Sequence, residues 1–189
     1  MDIITDGKFV HKLMRFIVDS EKYWIENRKK FLKLNNLPRG KLYNDEVGIP
    51  MISPYIYEEF VLPYEIELSD FQNGITYWHS CNNTTDFFKL IKRIPDLGMV
   101  HISPWVNDKV AAEVFKNEVA LDKCLNPEHD VLNADVNIME EKINKIIEDF
   151  GNEVKVTIRL DGIEKAYDIN YDLRKIKEFV DLYNKKFMD

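Results

Sequence analysis

Strand-like and helix-like segments take turns along this chain. Residues 41–45, 75–79, 99–103, 119–123 and 154–160 are short and carry β-branched, aromatic or alternating apolar side chains. Between and after them run 3.6-residue apolar periods. Asp6 can cap the first, which carries Phe9, Leu13, Phe16 and Ile17 and reaches about Leu34 before Pro38 and Gly40 stop it. Ser53-Pro54 starts a second helix with Tyr57, Phe60, Val61, Tyr64 and Leu68, and Pro63 should kink or restart it. Thr84 or Thr85 is expected to cap a third, with Phe87, Phe88, Leu90, Ile91 and Ile94. Residues 106–115 form a fourth. Met139, Ile143, Ile146, Ile147 and Phe150, closed by Gly151, form a fifth, and Leu173, Ile176, Phe179, Val180 and Tyr183 line the last.

Strands separated by helices imply an α/β fold with a mostly parallel sheet, because parallel neighbours need a crossover between them. Five strands can form an open doubly wound sheet, or part of a (β/α)8 barrel, which needs eight strands and typically ~250 residues. With 189 residues and no Gly/Ser linker, the chain reads as a single domain over 1–189.

Charge narrows the choice of partners. The net charge of −7 argues against bulk binding to nucleic acid or to an anionic membrane, which needs clustered Lys and Arg. No apolar run approaches ~20 residues, so no membrane span is expected. Two cysteines, Cys81 and Cys124, make no disulfide framework, and the cytoplasm is the default compartment.

The segment richest in chemistry is Tyr77-Trp78-His79-Ser80-Cys81-Asn82-Asn83. His79 and Cys81 stand two apart where a strand ends. Residues two apart in extended chain share a side, and parallel strands end at the rim where α/β proteins bind ligands. Imidazole and thiolate are good Zn²⁺ ligands. Taken alone, the pair reads as readily as a strand-end histidine and a small buried thiol. Asp45, with Asn44 and Glu46, lies near another predicted strand end, as general base or ligand, or as a solvated acid. His101 ends a further strand and can line the same pocket. Tyr55, Tyr57 and Tyr64 read as packing residues, and His11 and His129 as surface or packing residues.

An ordered set of local patterns resembles the uroporphyrinogen decarboxylase and cobalamin methyltransferase superfamily. Asp6 to Ile17 is similar to the helix that precedes the fifth barrel strand there, through its Asp and His-Lys-Leu run. Ser53-Pro54 with Phe60 and Pro63-Tyr64 resembles the family's next helix. His79-Ser80-Cys81 resembles its His-x-Cys-Gly strand end, with Asn82 in place of Gly. Leu125-Asn126-Pro127 resembles its Asn-Leu-Asp-Pro turn, and Leu160-Asp161-Gly162-Ile163 its last strand end.

This resemblance implies a partial (β/α)8 barrel whose first half is missing. It implies a zinc-dependent methyltransferase-type module that moves a methyl group between a corrinoid and a thiol. The implied metal ligands are His79 and Cys81, with Asp161 or Cys124 as the third. Asp161 and Asp45 are the candidate catalytic acids, and His101 and Asn82 the candidates for cofactor contact. Two alternatives stand beside it. One is a decarboxylase-like lyase of porphyrin biosynthesis, disfavoured by Asp161 where that branch has His. The other is a non-catalytic half-barrel. The implied partners are a corrinoid protein, a separately encoded N-terminal half-barrel, or further copies of the chain, since a half-barrel leaves a raw sheet edge.

Overall fold

A computed structural model describes residues 2–161, 163 and 167–188. After a short turn, α1 (Asp2–Thr5), the long α2 (Gly7–Phe31) begins at Asp6, whose carboxylate accepts from the Phe9 N–H at 3.0 Å. Strand β1 (Gly40–Tyr43) follows. Ser53 then caps α3 (Pro54–Phe60), and the chain breaks at Val61 and restarts as α4 (Leu62–Phe71). Pro63 has no N–H to donate, so it is tolerated only in the first turn of the second helix, which is where it sits. Strand β2 (Ile75–His79) comes next, matching the predicted bounds.

The expected Thr84 or Thr85 cap does not form. Asn83 Oδ1 accepts from the Thr85 N–H at 3.1 Å instead, and a 3-10 turn (Thr85–Phe87) leads into the short α5 (Phe88–Ile91). That Asx turn satisfies the Thr85 N–H, and the Phe87 N–H bonds the Thr84 carbonyl at 2.9 Å rather than a threonine hydroxyl. Then come β3 (Met99–Ile102), α6 (Asp108–Phe115) and β4 (Ala120–Leu125). After a π-helical turn (Glu128–Leu132), α7 (Val136–Phe150) is capped by Asp135 and ends at Gly151 with φ +62°. Strand β5 (Val156–Leu160) and α8 (Ile169–Met188) complete the chain. Gly162, expected at the last strand end, lies outside the described residues.

All four strand pairings are parallel, and the order is β1-β2-β3-β4-β5. When strand order follows chain order, right-handed crossovers all step the same way, so their helices gather on one face. The side chains identify that face. Leu42, Trp78, Val100, Ile102, Leu121 and Leu125 alternate inward to meet Phe88, Ile91, Phe115, Met139, Ile143 and Phe179 in one core. The opposite face carries Tyr43, Tyr77, His79, His101, Asp122, Cys124 and Arg159. Period-two alternation therefore sorts each strand into an apolar side under helices and a polar side that holds the candidate site.

One charged pair sits on the apolar side. Lys123, 1% exposed, alternates with Leu121 and Leu125 and reaches Asp108 at 2.7 Å. Burial pushes the Lys123 amine down and the Asp108 carboxyl up, against the pull of each on the other. No described helix is long and apolar enough to cross a membrane.

Candidate metal centre

Two loops at the C-terminal ends of β1 and β2 build the site. The β1 ladder runs on past Tyr43, with the Asn44 N–H donating to the His79 carbonyl at 2.8 Å. The chain then turns, Val47 N–H to Asn44 carbonyl at 2.9 Å, and Asp45 rides on that turn. The Ser80 hydroxyl donates to the Val47 carbonyl at 2.5 Å and the Ile49 N–H to the Asn83 carbonyl at 3.0 Å. The Asn82 amide donates to the Asp45 carbonyl. Gly48 lets the loops close. Its φ is +140°, and a Cβ there would stand 2.4 Å from the Asn82 Cβ.

This clasp brings three ligand-type side chains together. His79 Nε2 lies 3.2 Å from Cys81 Sγ and 3.3 Å from Asp45 Oδ1. Among the described residues, Asp45, His79 and Cys81 form a group whose ligand atoms are all within 4.8 Å of one another. Tetrahedral Zn²⁺ with bonds of 2.0–2.3 Å sets its ligands roughly 3.3–3.6 Å apart. The His–Asp spacing fits that geometry, and the His–Cys spacing is a few tenths of an ångström short of it. The donor set also fits, since one N, one S and one O are all accepted by Zn²⁺.

Both histidines of the site are held neutral, as ligation requires. Desolvation pushes His79 down, outweighing the Asp45 carboxylate, which pushes it up. Desolvation likewise lowers His101, although its contact with the Ser80 carbonyl raises it. The two rings stack at 4.3 Å. His101 Nδ1 carries the proton, because it sits 2.8 Å from a carbonyl that can only accept. His79 Nδ1 and His101 Nε2 are buried without a hydrogen-bond partner among the described residues. Desolvation, and then Asp45, raises the Cys81 thiol, so it keeps its proton until a cation displaces it.

The other expected residues lie nearby but outside the group of three. Cys124 is buried on β4. Asp161 is exposed and pairs with Arg159 at 3.2 Å. Arg159 also holds Asp122 at 3.2 Å and donates to the Tyr77 hydroxyl at 3.0 Å, and that hydroxyl donates to Asp122 at 2.7 Å. Asn82 acts on the loop rather than toward open space, because its amide is spent on Asp45 and its carbonyl accepts from Ser103 Oγ at 2.8 Å.

Two supporting residues escaped the sequence reading. Lys123 donates to the Ser103 carbonyl at 3.2 Å, so a chain of hydrogen bonds runs from the buried Asp108 and Lys123 through Ser103 and Asn82 out to the exposed Asp45. Glu65, 4% exposed, accepts from Asn44 at 2.6 Å, Tyr57 at 2.5 Å and Trp78 at 3.1 Å. Each carried a readable signal: a charge at a position where the local period demands an apolar residue. Glu65 follows Tyr57 and Val61 at helical spacing, and Lys123 lies between Leu121 and Leu125.

Desolvation raises Glu65 to about 7, although its three donors pull it down. Between its ordinary 4.5 and about 7, the folded chain keeps a proton that the unfolded chain has released. Stability from this group therefore falls as pH rises through that window, by on the order of 3 kcal/mol, and stays level above it. The Glu65→Gln variant lacks that titration. Urea unfolding at pH 5 and pH 8 should show the wild type losing stability relative to the variant, and parallel profiles would contradict the assignment.

Comparison with family models finds no match, and comparison with curated proteins finds none either.

Proposed function

We infer that this chain is a zinc-dependent methyltransferase-type module, one half of a (β/α)8 barrel of the uroporphyrinogen decarboxylase and cobalamin methyltransferase superfamily. The observation that carries this reading is the convergence of Asp45, His79 and Cys81. Three protein ligands with a fourth direction open is the arrangement of a catalytic rather than a structural zinc site. Cys81 and Asp45 are exposed while His79 is buried, so the open direction faces solvent and an incoming thiol. Zn²⁺ held there supplies a Lewis-acid centre that keeps a thiol deprotonated at neutral pH. The chain's own groups orient and shield. Asp45, His79 and Cys81 fix the position, and the ring of His101 backs that of His79. Tyr43 stands at 5.4 Å from the His79 ring and 6.1 Å from that of Tyr77, walling one side.

In the transfer, the methyl–cobalt bond of a partner-borne corrinoid breaks and a sulfur–methyl bond forms. The donor would keep the electron pair of the broken bond, and the thiol proton would leave to solvent. The lyase alternative needs cations for porphyrinogen carboxylates. Among the described residues on the polar face at the strand ends that cation is Arg159, which Asp122 and Asp161 already hold. A first half completes the barrel beside the open edge of β1.

The test uses zinc-loaded protein, methylcobalamin and a small thiol, followed by loss of the methyl–cobalt absorbance and by thioether formation. Protein-dependent transfer that disappears in Cys81→Ser is the expected result. Full zinc loading with no acceleration over the free thiol would leave only a binding site.

A further inference from the structure

On α2, Phe9, Leu13, Phe16, Ile17, Tyr23, Trp24 and Phe31 are between 45% and 85% exposed. At 3.6 residues per turn they fall within a stripe roughly 120° wide, beside the face that buries Val10 and Val18. At ~150–250 Å² for a whole aromatic side chain, this leaves on the order of 800 Å² of apolar surface uncovered. Patches beyond a few hundred Å² mark interaction sites, and ~800 Å² is one partner's share of a standard stable interface.

The spacing of the stripe identifies the partner. Around Ser20 it is palindromic: Ile17 mirrors Tyr23, Phe16 mirrors Trp24, and Phe9 mirrors Phe31. A twofold contact requires that residue i meet j while j meets i. An antiparallel pair of such helices, crossing at Ser20, meets that requirement with apolar side chains on both sides of three mirrored pairs, and with Leu13 facing Asn27 in the fourth. The two polar residues within the stripe do not oppose its burial. The Ser20 hydroxyl already donates to the Phe16 carbonyl at 2.7 Å, and the Asn27 amide to the Tyr23 carbonyl at 2.7 Å. Ser20 is also small, which allows the helices to approach closely. An anionic bilayer fits less well, because the flanks of the stripe are mixed in sign, with Asp19, Glu21 and Glu26 alongside Lys12, Arg28 and Lys30, and the whole chain carries −7.

We propose that the α2 stripe is a homodimer interface, with a second copy of this chain packed antiparallel across Ser20. Light scattering at tens of micromolar should give twice the 22.4 kDa chain mass. The Phe16→Glu/Trp24→Glu variant should fall to the monomer with its circular dichroism and zinc content unchanged. Under mild oxidation Ser20→Cys should form a covalent dimer, and peptide mapping should place the bond between the two introduced thiols. A wild-type monomer, a dimer that survives the double substitution, or binding of the monomer to anionic vesicles through these residues would each overturn the proposal. Mass and zinc content are read independently, so failure here is distinct from failure of the metal site.

Discussion

The His79→Ala variant is expected to bind Zn²⁺ about 100- to 1,000-fold more weakly than the wild type. Zinc held by four ligands in small domains is worth ~10–16 kcal/mol, so one ligand accounts for about a quarter of that. His79 is the central member of the group, in contact with both other ligands at 3.2 Å and 3.3 Å. Cys81→Ser should lose a similar amount, because a hydroxyl does not give up its proton as a thiol does. Asp45→Asn should lose less, about tenfold, since the amide oxygen remains without the charge. Asp161→Asn should stay within about twofold, because Arg159 engages that carboxylate instead. Since the raised Cys81 thiol must release its proton while His79 is already neutral, wild-type affinity should climb about tenfold per pH unit through neutrality. Competition against a chromophoric chelator measures all of these, and equal affinity in the wild type and His79→Ala would remove the basis of the site.

Asp108→Ala is expected to cost about 3–5 kcal/mol of stability, because it strands the Lys123 ammonium in the core without its counter-charge. For a chain of this size that is a fall of roughly 10 °C in Tm. The same substitution loosens the chain from Lys123 through Ser103 and Asn82 to Asp45, so zinc affinity should drop as well, about tenfold. The Asp108→Leu/Lys123→Met pair separates the two effects. Replacing both charges with apolar groups should restore most of the stability, while the Ser103 carbonyl still lacks its donor and zinc stays weaker. Calorimetry and zinc titration on both variants check this. A single variant as stable as the wild type would show that the pair is not buried in solution.

Much of the architecture was legible because the periods are clean. Ile75 to His79 was bounded to the residue, and Pro63 marked a helix restart. The His79–Cys81 pairing was legible because extended chain puts residues two apart on one side. Asp45 was legible as a general base or ligand near a strand end but not as the third member of this group, since it reaches His79 and Cys81 through loop contacts between residues far apart in sequence. Gly48, Ser80 and Asn82 make those contacts, and no local pattern reports them. The family resemblance points to Asp161 and Cys124, on strands that end at the same rim but outside the group of three. The short α5 was overestimated because Leu90 and Ile94 continue an apolar spacing that the backbone leaves after Ile91.

X-ray absorption at the zinc edge of the loaded protein tests the arrangement of ligands most directly. One sulfur at about 2.3 Å with the remaining neighbours nitrogen and oxygen near 2.0 Å is the predicted shell. Two sulfurs would mean that Cys124 binds the metal in place of Asp45, and a shell without sulfur would place the metal elsewhere.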